Sequence, residues 1–135
     1  MKKILGAVLT VVVILSLVCC GNNADVWADA TYKEDTVFGN GSKTVVVEVV
    51  VLEHSVDFTI KTDCMVLGDA LKEHNLVEGE ESEFGLYIKK VNGILADYDK
   101  NGAYWAFSKD AEMMLSGVDT TEISDGEHYE LTYTK

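Results

Sequence analysis

Between Val45 and Ile60 hydrophobicity alternates with a period of two, and no other stretch constrains the fold as tightly. Val45, Val47, Val49 and Val51 fill one face of a strand while Val46 and Val50 occupy the other. A strand apolar on both faces belongs in the middle of a sheet. Val56, Phe58 and Ile60 then alternate with Ser55, Asp57, Thr59 and Lys61, the pattern of a half-buried strand. Only Glu53 and His54 lie between the two runs, so a tight hairpin is the economical connection.

The period then changes. Val66, Leu67, Ala70 and Leu71 recur at helical spacing, with Thr62 or Asp63 as the expected cap and a close near Asn75. Gly68 is expected to mark close packing of this helix on the sheet. Glu78, Glu80, Glu81 and Glu83 around Gly79 read as a solvated acidic loop. Leu86 to Val91 forms a strand, Asn92-Gly93 a two-residue turn, and Ile94 to Ala96 the returning strand. Tyr104 to Phe107 is a further short strand, with Trp105 and Phe107 toward the core and Tyr104 outward. Met113 to Leu115 reads as another, and Tyr129, Leu131 and Tyr133 face one way in a last strand after the Asp125-Gly126 turn. A strand pair, one helix and several short strands describe an α+β domain over residues 43–135, a β-grasp-like mixed sheet with one helix packed across it.

The N-terminus has a different character. Lys2 and Lys3 precede an uncharged run from Ile4 to Val18, then Cys19 and Cys20. A short basic head and an apolar core of this length read as an export signal. Leu17, Val18, Cys19, Cys20 has the form of a lipobox, in which a small residue precedes the cysteine that receives diacylglycerol. Cys20 is the expected attachment site, with Leu17 three residues before it, and Cys19 is the alternative. Cleavage at the small residues Ala28 and Ala30, or retention of an uncleaved anchor, are the competing outcomes, although the run falls short of the ~20 apolar residues that span a bilayer comfortably. The expected organisation is therefore a lipoprotein signal peptide over 1–19 and a lipidated N-terminus with a flexible tether over 20–42. Trp27 and Tyr32, inside that tether, would rest either on the membrane interface or on the domain.

Charge excludes one class of partner. The chain has 23 acidic residues against 11 lysines and no arginine, whereas nucleic acid demands clustered positive charge. The acidity reads as a solvated, repulsive surface. Cys64 would be the one cysteine left in the folded part, which rules out a disulfide framework there and leaves a packed thiol. His54, His74 and His128 are scattered without ligand spacing and read as surface residues. A glycine-rich phosphate loop, a nucleophile elbow and a metal-ligand histidine pair are all missing, so no enzymatic activity is expected. Asp97, Asp99, Asn101 and Gly102 reproduce the start of an EF-hand loop, but Ser108 stands where the closing glutamate belongs. These residues are weak candidates for Ca²⁺, against an ordinary turn between strands.

Several ordered motifs carry a family resemblance. Leu67-Gly68-Asp69-Ala70-Leu71, Gly85-Leu86-Tyr87, Val91-Asn92-Gly93, Ala96-Asp97-Tyr98-Asp99, Gly102 to Phe107, Gly117-Val118-Asp119 and Asp125-Gly126 before Tyr129 resemble the bacterial DUF4430 domain. The likeness extends from about Lys43 to Tyr133. That family is similar to the C-terminal β-domain of transcobalamin and intrinsic factor, and its members commonly appear as surface lipoproteins. The resemblance implies a β-grasp-like fold and places Tyr104 and Trp105 on the motif's aromatic pair, as candidates for a ligand or partner surface. Cobalamin is implied only weakly, because a tight vitamin site needs burial on most sides and the chain shows no helical domain to supply the second face. The expectation is a membrane-tethered binding module on the extracytoplasmic face of a bacterial membrane. Its partners would be membrane lipid through the diacylglyceryl anchor and a small solute, with a transporter to receive it. The alternative is a cell-surface protein-interaction or structural module without a small-molecule ligand.

Overall fold

A computed structural model describes residues 26–83 and 85–135. The expectations for Cys19, Cys20 and the leader lie outside these residues. Nine strands are described, β1 (Thr36–Gly39), β2 (Lys43–Val51), β3 (His54–Thr62), β4 (Val77–Ser82), β5 (Gly85–Val91), β6 (Ile94–Leu95), β7 (Tyr104–Lys109), β8 (Glu112–Met113) and β9 (His128–Thr134). Helix α1 (Leu67–Glu73) follows β3, and a single helical turn, α2 (Tyr98–Asn101), precedes β7. Short 3₁₀ turns occupy Val26–Asp29 and Val118–Thr120. Among the described residues no helix is long and apolar enough to cross a membrane.

Six strands form a mixed sheet in the order β1-β3-β2-β9-β7-β8, and β4-β5-β6 form a second, antiparallel sheet. The hairpin β2-β3 is antiparallel, whereas β2 runs parallel to β9 and β1 runs parallel to β3. β2 therefore has a neighbour on each side, as its two apolar faces demand. Val45, Val47, Val49 and Val51 are at most 1% exposed, while Val46 and Val50 are half-buried. The hairpin turn falls one residue earlier than expected, on Leu52 and Glu53, because Val51 pairs with His54. Phe58, Ile60, Tyr129 and Leu131 from the large sheet, Leu67 and Leu71 from α1, and Ile94 from the small sheet share one core. Each such side chain contributes about 1.5–3 kcal/mol on burial.

Helix α1 departs from the expected capping. Thr62 Oγ1 accepts from the Cys64 amide at 3.0 Å and Asp63 Oδ1 accepts from Ser42, so neither caps the helix. Instead the Leu67 amide donates to Thr121 O at 2.9 Å, and Ile123 N donates to Met65 O at 3.1 Å. Gly68 meets the Val118–Thr120 turn rather than the sheet. A Cβ there would lie 2.8 Å from Asp119 Cα. The acidic segment expected as a loop is strand β4, paired to β5 with an irregularity between Glu78 and Gly79. Its carboxylates face solvent, where Lys90, Lys89 and Lys72 approach Glu78, Glu80 and Glu81 at 3.6, 3.1 and 3.7 Å. Beyond Tyr104 to Lys109, the strand expected at Met113 to Leu115 is limited to Glu112 and Met113.

The largest correction concerns the tether. From Val26 onward the segment is docked on the domain rather than free. Trp27 is buried, its ring stacked on His54 with centroids 5.0 Å apart. Tyr32 meets Phe38 and Phe58 edge-on, and β1 adds to the edge of β3 with Asp35 Oδ1 accepting from the Asp57 amide at 2.9 Å. One residue 60 positions away holds the segment in place. The Asn92 side chain accepts from Tyr32 N at 2.9 Å and donates to Tyr32 O at 2.8 Å, while Asn92 O accepts from Thr31 N at 2.9 Å. Asn92 also begins the β5-β6 turn, with φ of 52° there and 81° at Gly93, the left-handed pair that an Asn-Gly turn supplies. Composition alone reads this polar stretch as a leash because the partner that fixes it is remote.

Asn92→Ala should remove both side-chain bonds and leave two backbone groups of Tyr32 without their partner. We expect a loss on the order of 2–4 kcal/mol, since each abandoned buried group costs about 1–3 kcal/mol. Urea unfolding measures it, and hydrogen exchange should show the amides of residues 31–39 losing protection before those of β2.

Candidate functional site

β7 lies where the two sheets meet, and its side chains line a groove of about 240 Å³ together with β5 and the chain around the Val118–Thr120 turn. Leu86 and Ile88 come from β5, Trp105 and Phe107 from β7, and Met114 and Val118 from the segment beyond β8. The β7-β9 register sets the aromatics: Trp105 stands opposite Tyr133 and Phe107 opposite Leu131. Trp105 meets Tyr133 edge-on at 5.6 Å, and Phe107 stacks on Tyr129 at 5.8 Å. Tyr104, half-buried, also lines the groove, so both sequence candidates are brought to one place. Met113 and Tyr87 line it as well and are exposed, with Leu115 fully exposed close by in sequence.

One polar atom in this apolar setting stands out. Trp105 is only 7% exposed, and its Nε1 is enclosed without a hydrogen-bond partner among the described residues. A buried indole N–H normally finds an acceptor. The groove itself offers apolar contact. Its volume falls below the roughly 300–1,000 Å³ of pockets that enclose a drug-sized ligand, so it accommodates a small solute or one edge of a larger molecule.

Behind the groove, Glu127 ties β7 to β9. It accepts from the Tyr129 hydroxyl at 2.9 Å, from Lys109 Nζ and from the Ser124 amide. Burial opposes ionisation of Glu127, yet those three donors outweigh it and hold the carboxyl below its ordinary value of 4.5. Burial first, and the Glu127 carboxylate second, push the Tyr129 hydroxyl far above the ordinary phenol range. Tyr129 is a buried anchor, fully enclosed in the core.

The other sequence candidates are placed apart from the groove. Asp97 Oδ1 accepts from the Asp99 amide at 3.2 Å as the cap of α2, and Asn101 Oδ1 accepts from Ala103 N at 3.0 Å. Two oxygens of the EF-like series are therefore turned to their own backbone, closing one helical turn at Gly102, whose φ is 71°. Cys64 is part-buried with Sγ 3.5 Å from Glu73 Oε2. The histidines are less superficial than their spacing suggests. His54 stacks on Trp27, His74 packs 5.1 Å from Phe38, and all three are half-buried. His128 joins Glu48 and Asp57, each offering one ligand atom, with the three atoms within 4.8 Å of one another. Separation by some 80 residues hid this cluster from sequence reasoning. Its signal, alternation that puts polar residues on one face of three strands, becomes readable only once the strand order is known.

Residues 65–135 match the family described as a domain of unknown function, DUF4430. A solved structure of a candidate metal binding protein from Ruminococcus gnavus ATCC 29149 is 35% identical. It superposes with a TM-score of 0.65 over 70% of this chain and 98% of its own. Haptocorrin in complex with Cbi is similar in fold, with 22% identity and a TM-score of 0.52 over 73% of this chain and 26% of its own. The chain thus spans about a quarter of haptocorrin's length. No curated protein matches the chain.

The Glu127 network has a pH signature. Its folded value lies below the unfolded one, so its contribution is present above about pH 4.5 and is lost as pH falls through the folded value. Glu127→Gln should cost about 1.5–3 kcal/mol at neutral pH, the range for hydrogen bonds to a charged group. Thermal unfolding from pH 7 to pH 3 should show a shallower acid limb in the variant than in the wild type.

Proposed function

This chain belongs to the DUF4430 family, and from that premise we propose that it is a non-catalytic, membrane-tethered binding module on the extracytoplasmic face of a bacterial membrane. Its seat for a small solute is the groove at Tyr104 and Trp105. What supports this reading is the apolar groove itself, with Tyr104, Trp105 and Phe107 of β7 facing Leu86 and Ile88 of β5. The similarity to a candidate metal binding protein from Ruminococcus gnavus supports a binding role. The small groove volume favours a module that covers one side of its ligand and hands it on to a transporter. The parallel pairing of β2 with β9 and the position of α1 after the first hairpin support a β-grasp-like reading of the mixed sheet. The basic head, apolar run and Cys20 support a diacylglyceryl anchor preceding the docked segment.

A second reading is favoured by the exposed apolar residues beside the groove. Met113, Leu115 and Tyr87 would serve equally as the contact of a protein-interaction module.

Native mass spectrometry of the chain extracted from its own membranes separates these readings. We expect an acylated N-terminus beginning at Cys20 and a retained small molecule. An unmodified N-terminus would refute the anchor, and a defined protein neighbour with no small molecule would favour the second reading. For any retained solute, Tyr104→Ala removes a half-buried ring from the groove wall. It should weaken binding about tenfold, the effect of roughly 1.4 kcal/mol of lost apolar contact, as read by calorimetric titration.

A further inference from the structure

The outward face of the six-stranded sheet carries a row of carboxylates that the groove does not use. Glu48 on β2 stands directly opposite Asp57 on β3 and directly opposite Glu130 on β9. Three acids thus lie side by side across neighbouring strands at the centre of the sheet, an arrangement that destabilises a sheet when the charges are alike. His128, two residues before Glu130 on the same face, stands among them. Its Nε2 lies 3.7 Å from Glu48 Oε1 and its Nδ1 lies 3.1 Å from Glu130 Oε2.

We propose that Glu48, Asp57 and His128 form a binding site for one divalent transition-metal ion of the zinc type, with Glu130 orienting the imidazole. The donor set decides the class. One imidazole and two carboxylates suit zinc and its neighbours, whereas calcium takes six to eight oxygens. The three donor atoms lie within 4.8 Å of one another. Zinc bonds of about 2.0–2.2 Å require donors about 3.4 Å apart in a tetrahedron. The strand pairing fixes the backbones, while the exposed Asp57 and half-exposed Glu48 side chains have the rotamer freedom to close that gap. A water or a ligand group takes the fourth position.

Glu130 supplies an independent observation. Its Oε1 is held by Ser108 Oγ at 3.1 Å and by the Ala111 amide at 2.8 Å. Its Oε2 is enclosed and accepts no hydrogen bond among the described residues, although His128 Nδ1 is within reach. The side chain is 13% exposed. A metal-bound histidine almost always donates its other ring nitrogen to a carboxylate, which fixes the tautomer and aims the free nitrogen at the metal. Glu130 is positioned for that role, and a small rotation of the imidazole completes its bond while Nε2 turns toward Glu48 and Asp57. None of these four residues lines the groove.

Calorimetric titration of the full chain with Zn²⁺, after chelator treatment, tests the site. We expect one ion per chain. His128→Ala and Asp57→Asn should each weaken binding at least tenfold, and Glu130→Gln should weaken it about tenfold while keeping the stoichiometry, as loss of an orienting carboxylate does. Asp97→Asn with Asp99→Asn should leave binding unchanged, because that acidic turn is distant from the site in sequence and strand. Asp57 is exposed, so its variant keeps the fold and circular dichroism verifies this. No uptake by the wild type, or equal affinity in wild type, His128→Ala and Asp57→Asn, overturns the proposal. Zinc uptake is read without any groove ligand, so its failure and failure of the solute reading are separate results.

Discussion

The parallel pairing of β2 with β9 is the constraint on which the rest of the molecule depends. It joins residues more than 80 positions apart, with Val47 beside Tyr129 and Val49 beside Leu131. Those four side chains are at most 1% exposed and form the middle of the core. Closing so long a loop has an entropic cost that only the completed apolar interface offsets. Between β3 and β9, α1 and the small sheet pack on the core that this pairing creates, while β7 and β8 extend the large sheet beyond β9.

The same pairing sets two faces with opposite characters. On the inner face it aligns β7 beside β9, so that Trp105 meets Tyr133 and Phe107 meets Tyr129, leaving the groove where the large sheet turns against β5. On the outer face it brings His128 and Glu130 beside Glu48 and, one strand further, Asp57. A slip of one residue would exchange these faces and bury the carboxylates. The Glu127 network at the entrance to β9 holds the register, since it ties Lys109, Ser124 and Tyr129 to a single carboxylate.

Local periodicity made much of the sheet legible. The alternation at Val45 to Ile60 and at Tyr129 to Tyr133 specified strands and their buried faces, and Asn92-Gly93 specified its turn. Features that depend on remote partners were not legible. Residues 26–42 look like a leash until Asn92 is known to clasp Tyr32. The glutamates of β4 look like a loop because strand formation there rests on pairing to β5 rather than on hydrophobic alternation. Helix α1 lacks the expected cap because its first amide is satisfied by Thr121 O. Of the candidate site, Tyr104 and Trp105 were visible as an aromatic pair, whereas the Glu48, Asp57 and His128 cluster required a strand order that no short window contains.

Strand β4 has one more consequence. It borders the small sheet, and a border strand is where a strand from a neighbouring copy can add. Glu78, Glu80 and Glu81 of that strand are exposed, and its pairing with β5 is irregular between Glu78 and Gly79. A second copy approaching in the same way would bring its own glutamates against these, within a chain whose net charge is −12. Like charges along that border disfavour edge-to-edge pairing of two copies.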